Sequence, residues 1–228
     1  MTLPLLILRP LEGALQTKRR AKDLGLQAVV DPLFSVEPII WSGQTARDFD
    51  ALLLTSANAV IHGGDQLDAY RPLPVLAVGQ ATAQAAENAG FHIAETGDSS
   101  GQQLLNQLET EQYRRILWLA GEQHSLLDPS ELQLDIVPVY RSRAIALGQK
   151  AEACLVAETV ILLHSSRAAK HLATELDRLH IMRGQHHVVA FSAKVAAAAG
   201  QGWKSIQVAD RSDDESLLSL ATRLCQSE

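Results

Sequence analysis

The chain has 228 residues, of which 46% are hydrophobic, and a formal net charge of −6 at pH 7. That length and composition sustain one large core or two small ones and exclude a disordered chain. The acidic balance and the scatter of basic residues exclude a nucleic-acid partner gripped through a phosphate-neutralising patch.

In chain order, Leu5 to Leu8 is a short continuous apolar run, as expected of a strand covered on both faces. It is too short for a signal segment, lacks a basic stretch before it and stops at Arg9 and Pro10, so export is not expected. A helix-like stretch from Ala14 to Leu24, closed by Gly25, leads to a second strand at Leu26 to Val30. Strands are then predicted at Ala51 to Leu54, Val75 to Val78 and Phe91 to Ala94, with helices near Ala57 to His62, Thr82 to Ala89 and Gly101 to Leu108. Arg115 to Leu119, a helix near Ser125 to Leu132 and a strand ending at Tyr140 repeat the plan of the opening unit. The remainder reads as strands at Thr159 to Leu163, Val188 to Phe191 and Ser205 to Val208. Its helices run over Ala168 to Leu179, from Lys194, and over Glu215 to Leu224. This alternation predicts parallel sheets wrapped by helices.

The chain also repeats itself. Leu52 to Val60 returns as Ile161 to Ala169, Val75 to Ala83 as Val188 to Ala196, and Ser99 to Leu105 as Ser212 to Leu218. The offsets, 109 residues for the first pair and 113 for the others, are too long for a solenoid, so each copy is most of a domain. Two such domains imply a ligand-binding cleft. Tandem pairing would split the chain near residue 112. The extended, proline-containing segments Asp31 to Pro38 and Val137 to Arg143 look instead like crossovers, and pairing them would insert one domain into the other. Both arrangements are compatible with the residues.

Ligands of parallel α/β sheets sit at the carboxyl ends of strands, which singles out Arg9, Thr55, Ser56, Gly79, Ala120, Gly121, His164, Ser165 and Ser192. Backbone N–H groups at helix starts there attract carboxylates by roughly 0.3–1 kcal/mol each, although Ser, Thr and Asn in such places are also ordinary helix caps. No GxGxxG or GxxxxGK[ST] loop occurs, which excludes the common nucleotide-binding devices. The eight histidines fit neither HExxH nor a Cys/His spacing, and Cys154 and Cys225 form no CxxC pair, so no metal is expected. Both cysteines read as small buried apolar residues of a reducing compartment.

Taken together, Arg9-Pro10, Thr55-Ser56-Ala57-Asn58-Ala59-Val60, Ala77-Val78-Gly79 with Thr82-Ala83 and Gly90, Gly121-Glu122, Val139-Tyr140-Arg141 and His164-Ser165-Ser166 form an ordered set. It resembles the uroporphyrinogen-III synthase family over nearly the whole chain. The resemblance implies an α/β protein of two open, doubly wound parallel-sheet domains joined by a two-stranded antiparallel ladder. Residues 1–33 with 145–228 would form a discontinuous domain, 41–135 an inserted one, and 34–40 with 136–144 the ladder. It implies a cofactor-free cyclising lyase, cytoplasmic and monomeric, without membrane or nucleic-acid partner. Its small-molecule substrate is the linear tetrapyrrole hydroxymethylbilane, closed with loss of water and inversion of the last pyrrole ring.

On this resemblance Tyr140 is the candidate proton donor to the departing hydroxyl, though a cross-strand aromatic role fits it equally. Arg9, Thr55, Ser56, Ala57, Asn58, Gly79, Thr82, Gly121, Arg141, His164, Ser165, Ser166, Ser192 and Lys194 are candidate substrate contacts. Arg143 and Arg167 stand behind Arg9 and Arg141 as carboxylate partners. The chain departs from several relatives in having Ser192-Ala193-Lys194-Val195 where they carry a Thr. A non-catalytic two-lobed intracellular binding protein, or a diverged paralogue, is the rival reading.

Overall fold

The computed structural model describes residues 2–97, 100–108 and 111–226; Ser99, which opens one of the repeated segments, lies outside them. The first strand, β1 (Leu5–Ile7), is buried throughout. Because strand side chains alternate between faces, Leu5 and Ile7 enter one apolar cluster and Leu6, with Leu8 just beyond, enters another. α1 (Leu11–Asp23) starts after Pro10, whose φ of −49° suits a helix entry and whose missing N–H costs nothing there. It leads to β2 (Ala28–Val30) and β3 (Phe34–Pro38).

β4 (Ala51–Leu54), α2 (Ala57–His62), β5 (Val75–Val78), α3 (Gln80–Asn88), β6 (Ile93–Gly97), α4 (Gly101–Gln107), β7 (Arg115–Gly121) and β8 (Gln133–Ala144) follow. The chain continues through α5 (Gln149–Cys154), β9 (Val160–Leu163), α6 (Ser166–Arg178), β10 (His187–Ala190), α7 (Ala193–Ala199), β11 (Ser205–Val208) and α8 (Asp214–Gln226).

Two compact units result, residues 1–35 with 143–228 and residues 36–142. In the first, five strands lie in the order β11-β10-β9-β1-β2, and every pair is parallel. In the second the order is β3-β8-β7-β4-β5-β6, and all pairs from β8 to β6 are parallel. Set side by side, β6-β5-β4-β7-β8 repeats β11-β10-β9-β1-β2 position for position, the structural counterpart of the repeated sequence. Each sheet is covered on both faces: on β4, Leu52 and Leu54 join one cluster while Ala51 and Leu53 join the other. Burying one such leucine contributes about 1.5–3 kcal/mol.

Two expectations are corrected. No helix forms over 125–132: the Asp128 N–H goes to Gln102 Oε1 at 2.7 Å, Pro129 has no N–H, and Ser130 takes φ +51° with its N–H on Asp128 Oδ1. Leu126 is left 92% exposed. Second, α5 was not expected; Asp31 Oδ2 accepts the Ala151 N–H at 2.7 Å near its start. The expected two-stranded antiparallel ladder is present, formed by β3 and β8. β8 is one twelve-residue strand, paired with β7 in its first part and with β3 in its second. Ile39 N–H donates to Val139 O and Ile145 N–H to Leu33 O, both at 3.0 Å, so the numbers run oppositely along the two strands and the β3–β8 register is antiparallel.

Candidate active site

In each sheet the chain winds outward in both directions from one neighbouring strand pair, β1 and β9 in the first unit and β7 and β4 in the second. Above the carboxyl ends of such a pair the two connections diverge and leave a natural binding place. Arg9, Thr55, Ser56, His164 and Ser165 follow these strands, Gly121 ends β7, and Gly79 and Ser192 follow the adjacent β5 and β10.

In the second unit, Thr55 and Ser56 follow β4. Thr55 Oγ1 accepts the indole N–H of Trp118 at 3.2 Å; the Ser56 hydroxyl caps α2 by accepting from Asn58 N at 3.2 Å. Ala57 and Asn58 occupy the first turn, all four being half-buried. Gly79, at φ +82°, opens α3, which no side chain caps. Its backbone bend is one that residues with a Cβ rarely adopt. Thr82, 4% exposed, donates its backbone N–H to Gly79 O. Gly121 ends β7 buried, and the Tyr140 ring lies against it. Behind Gly121, its carbonyl is 2.8 Å from His124 Nδ1, and the His124 ring stands edge-on to Trp118 at 4.9 Å. Arg141 is held by Glu37 at 2.6 Å.

In the first unit the centre is a residue that the sequence reading missed, Asp214. Its carboxylate accepts from Arg9 at 3.0 Å, Thr17 at 2.7 Å and Arg20 at 3.2 Å, and lies 3.3 Å from His164 Nε2. Burial raises its pKa, but the bonds from His164 and Thr17 and the Arg9 charge prevail and hold it at about 2. Burial pushes His164 below its usual 6.5 against the pull of Asp214, with Arg9 pushing it further down. The imidazole is therefore neutral near pH 7 and stands edge-on to Phe191 at 4.5 Å.

Ser165 and Ser192 cap α6 and α7, accepting from Ala168 N at 3.1 Å and Val195 N at 3.4 Å. The Ser166 hydroxyl donates to Lys194 O at 3.3 Å, while the Lys194 side chain is exposed. Arg167 stacks over Phe34 at 4.4 Å.

The structure thus places Thr55, Ser56, Gly79 and Gly121 at strand ends of the second unit, with Tyr140 against Gly121, and Arg9, His164, Ser165 and Ser192 after strands of the first. Arg9 and Arg141 each hold a carboxylate partner of the protein itself. One signal could have exposed Asp214: at the offset of 113 it matches Gly101, so a charge enters one copy of the repeat where the other has none.

A hollow of about 800 Å³ between the end of α1 and α8 is lined by Arg20, Asp23, Asp214, Leu218 and Arg223. Among the described residues no cluster of His, Cys, Asp or Glu is arranged to hold a metal ion, and no helix is long and apolar enough to cross a membrane.

The family model described as uroporphyrinogen-III synthase HemD matches residues 16–219. None of the curated proteins compared matches. Among solved structures, uroporphyrinogen-III synthetase from Helicobacter pylori aligns with a TM-score of 0.65 at 15% identity, over 97% of this chain and 99% of that one. A mutant uroporphyrinogen III synthase from the extremely thermophilic bacterium Thermus thermophilus gives 0.52 at 18% identity, over 99% and 100%. At these identities the structures establish a shared fold.

Proposed function

The chain belongs to the uroporphyrinogen-III synthase family, and from that membership we propose which residues carry its reaction. The enzyme is a cyclising lyase of tetrapyrrole synthesis: it closes hydroxymethylbilane, inverts the last ring and releases water. The hydroxyl that leaves needs a proton, and in this reading Tyr140 delivers it. Its phenol O–H serves as a weak acid that also orients the leaving group. An electrophilic azafulvene results, which the substituted carbon of the last pyrrole attacks to give a spiro intermediate. Fragmentation and recombination of that intermediate invert the ring.

The bilane also closes without inversion, so the enzyme's larger task is to hold it curled in a near-attack arrangement. Its eight carboxylates call for many modest anion contacts rather than a basic patch, which agrees with a net charge of −6. The uncapped start of α3 at Gly79 is the first such contact. Thr55, Ser56, Ala57, Asn58 and Thr82 supply further contacts from the second unit, and Ser165, Ser166, Ser192 and Lys194 from the first. Gly121 lies against the Tyr140 ring. Arg9, Arg141 and His164 serve by exchanging or sharing their present carboxylate partners. The reading also takes the enzyme as a cytoplasmic monomer without a nucleic-acid partner.

One observation carries this assignment: Tyr140 lies against the end of β7, one of the two strands from which its sheet winds outward. The test is to supply freshly generated hydroxymethylbilane, oxidise the product and separate the type I and type III isomers. Type III above the uncatalysed background is expected. Binding with an unchanged isomer ratio would indicate a binding protein instead.

A further inference from the structure

We propose that Gly121, together with the bulge opposite it in β8, positions the Tyr140 phenol for the reaction, and does so by having no side chain. This rests on the role of Tyr140 given above and extends it to a positioning residue that acts only through that ring.

The strands β7 and β8 pair in regular steps from Arg115 with Gln133 to Ala120 with Pro138. Gly121 then faces Tyr140, so Val139 is an extra residue. Strand side chains alternate between faces: Val137 and Val139 lean on the cluster containing Leu52, Leu54, Leu117 and Leu119. Unbroken alternation would turn Tyr140 to the opposite face, yet its ring packs on the same cluster as Val139. An extra residue in one strand re-aims a side chain in this way, and Pro138, which has no N–H for a ladder, is tolerated at such an irregularity.

On that face the ring meets the end of β7. A Cβ added to Gly121 would lie 2.8 Å from Tyr140 Cζ, 2.9 Å from Cε2 and 3.0 Å from the hydroxyl oxygen. Any residue but glycine therefore displaces the reactive end of the phenol. The displaced atoms are the far end of a rotatable side chain, and Gly121 is not among the residues with positive φ. Alanine thus moves the ring and spares the sheet. The Tyr140 backbone is held separately, its carbonyl accepting the Glu122 N–H at 2.8 Å.

The chain contains three tyrosines, so 3-fluorotyrosine labelling yields three fluorine resonances, and the one lost in Tyr140→Phe belongs to Tyr140. Gly121→Ala is expected to shift that resonance, leave those of Tyr70 and Tyr113 in place and keep the melting temperature close to wild type. It should lower kcat by about 10–100-fold with little change in KM, and add nothing further in the Tyr140→Phe background. An unmoved Tyr140 resonance, or an equal loss in both backgrounds, overturns the proposal. If Tyr140→Phe turns over at the full rate, this inference falls while the synthase activity stands. If wild type gives no excess type III isomer, the functional reading falls, and the fluorine shift still decides whether Gly121 places the ring.

Discussion

Asp214 accepts the Nε2–H of His164 at 3.3 Å, and because an ionised carboxylate has no proton to give, this bond fixes the imidazole tautomer. Arg9, Thr17 and Arg20 converge on the same carboxylate, so one acidic residue organises the carboxyl ends of β1 and β9.

Asp214→Asn should expose that dependence. The folded pKa of about 2 lies below the usual 3.8, so the carboxylate's contribution is complete above pH 3.8 and disappears as pH falls towards 2. It is worth about 2 kcal/mol. The loss stays below the 3–5 kcal/mol typical of breaking a fully buried pair, because Arg9 and Arg20 keep 30% and 60% of their side chains in solvent. Urea titrations from pH 2 to pH 7 should show the wild-type slope below pH 4 flattened in the variant.

His186 should limit stability at mildly acidic pH. It is fully buried, and both ring nitrogens lack a hydrogen-bond partner among the described residues. Burial lowers its pKa below 6.5, with Glu158 pulling it up and His187 pushing it down. The unfolded chain takes the proton first, so stability is complete above about pH 6.5 and declines below it. His186→Phe, which has no proton to bind, should reduce the fall in melting temperature between pH 7 and pH 5. His164 supplies the remainder of that fall.

Thr55→Val removes the acceptor of the Trp118 indole N–H, whose residue is 2% exposed. An unsatisfied buried donor costs about 1–3 kcal/mol. In a Trp118→Phe background the same change should cost much less, because no donor remains to be orphaned. A double-mutant cycle by denaturant unfolding measures the difference, and additivity would refute the bond's role.

Tyr140→Phe should lower turnover by about 10²–10⁴-fold with the fold intact, the range for a positioned proton donor. Single-turnover kinetics with fresh bilane measure it, and an unchanged rate would remove Tyr140 from the chemistry.

Elements whose signals are local were legible. β4, β5, β11 and α2 lie on the expected residues, since short apolar runs and a serine cap state their structure within a few positions. The helix expected over 125–132 failed because Pro129 and the Asp128 side chain favour a turn that apolar spacing does not report. Thr55, Ser56, Gly79, His164, Ser165 and Ser192 follow strands as the sequence indicated, because apolar runs mark where strands end. Asp214 was not indicated, because its meaning depends on Arg9, Thr17 and His164, which are distant in the chain.

The sequence by itself determined most strands and helices, the repeat and the family, because periodicity, caps and ordered motifs are written in neighbouring residues. Tertiary structure decided which strands share a sheet, since parallel pairs such as β1 with β9 join residues more than 150 positions apart. It also decided where Tyr140 faces. One extra residue opposite β7 reverses the alternation of side chains, and only the hydrogen-bond register between the two strands reveals it.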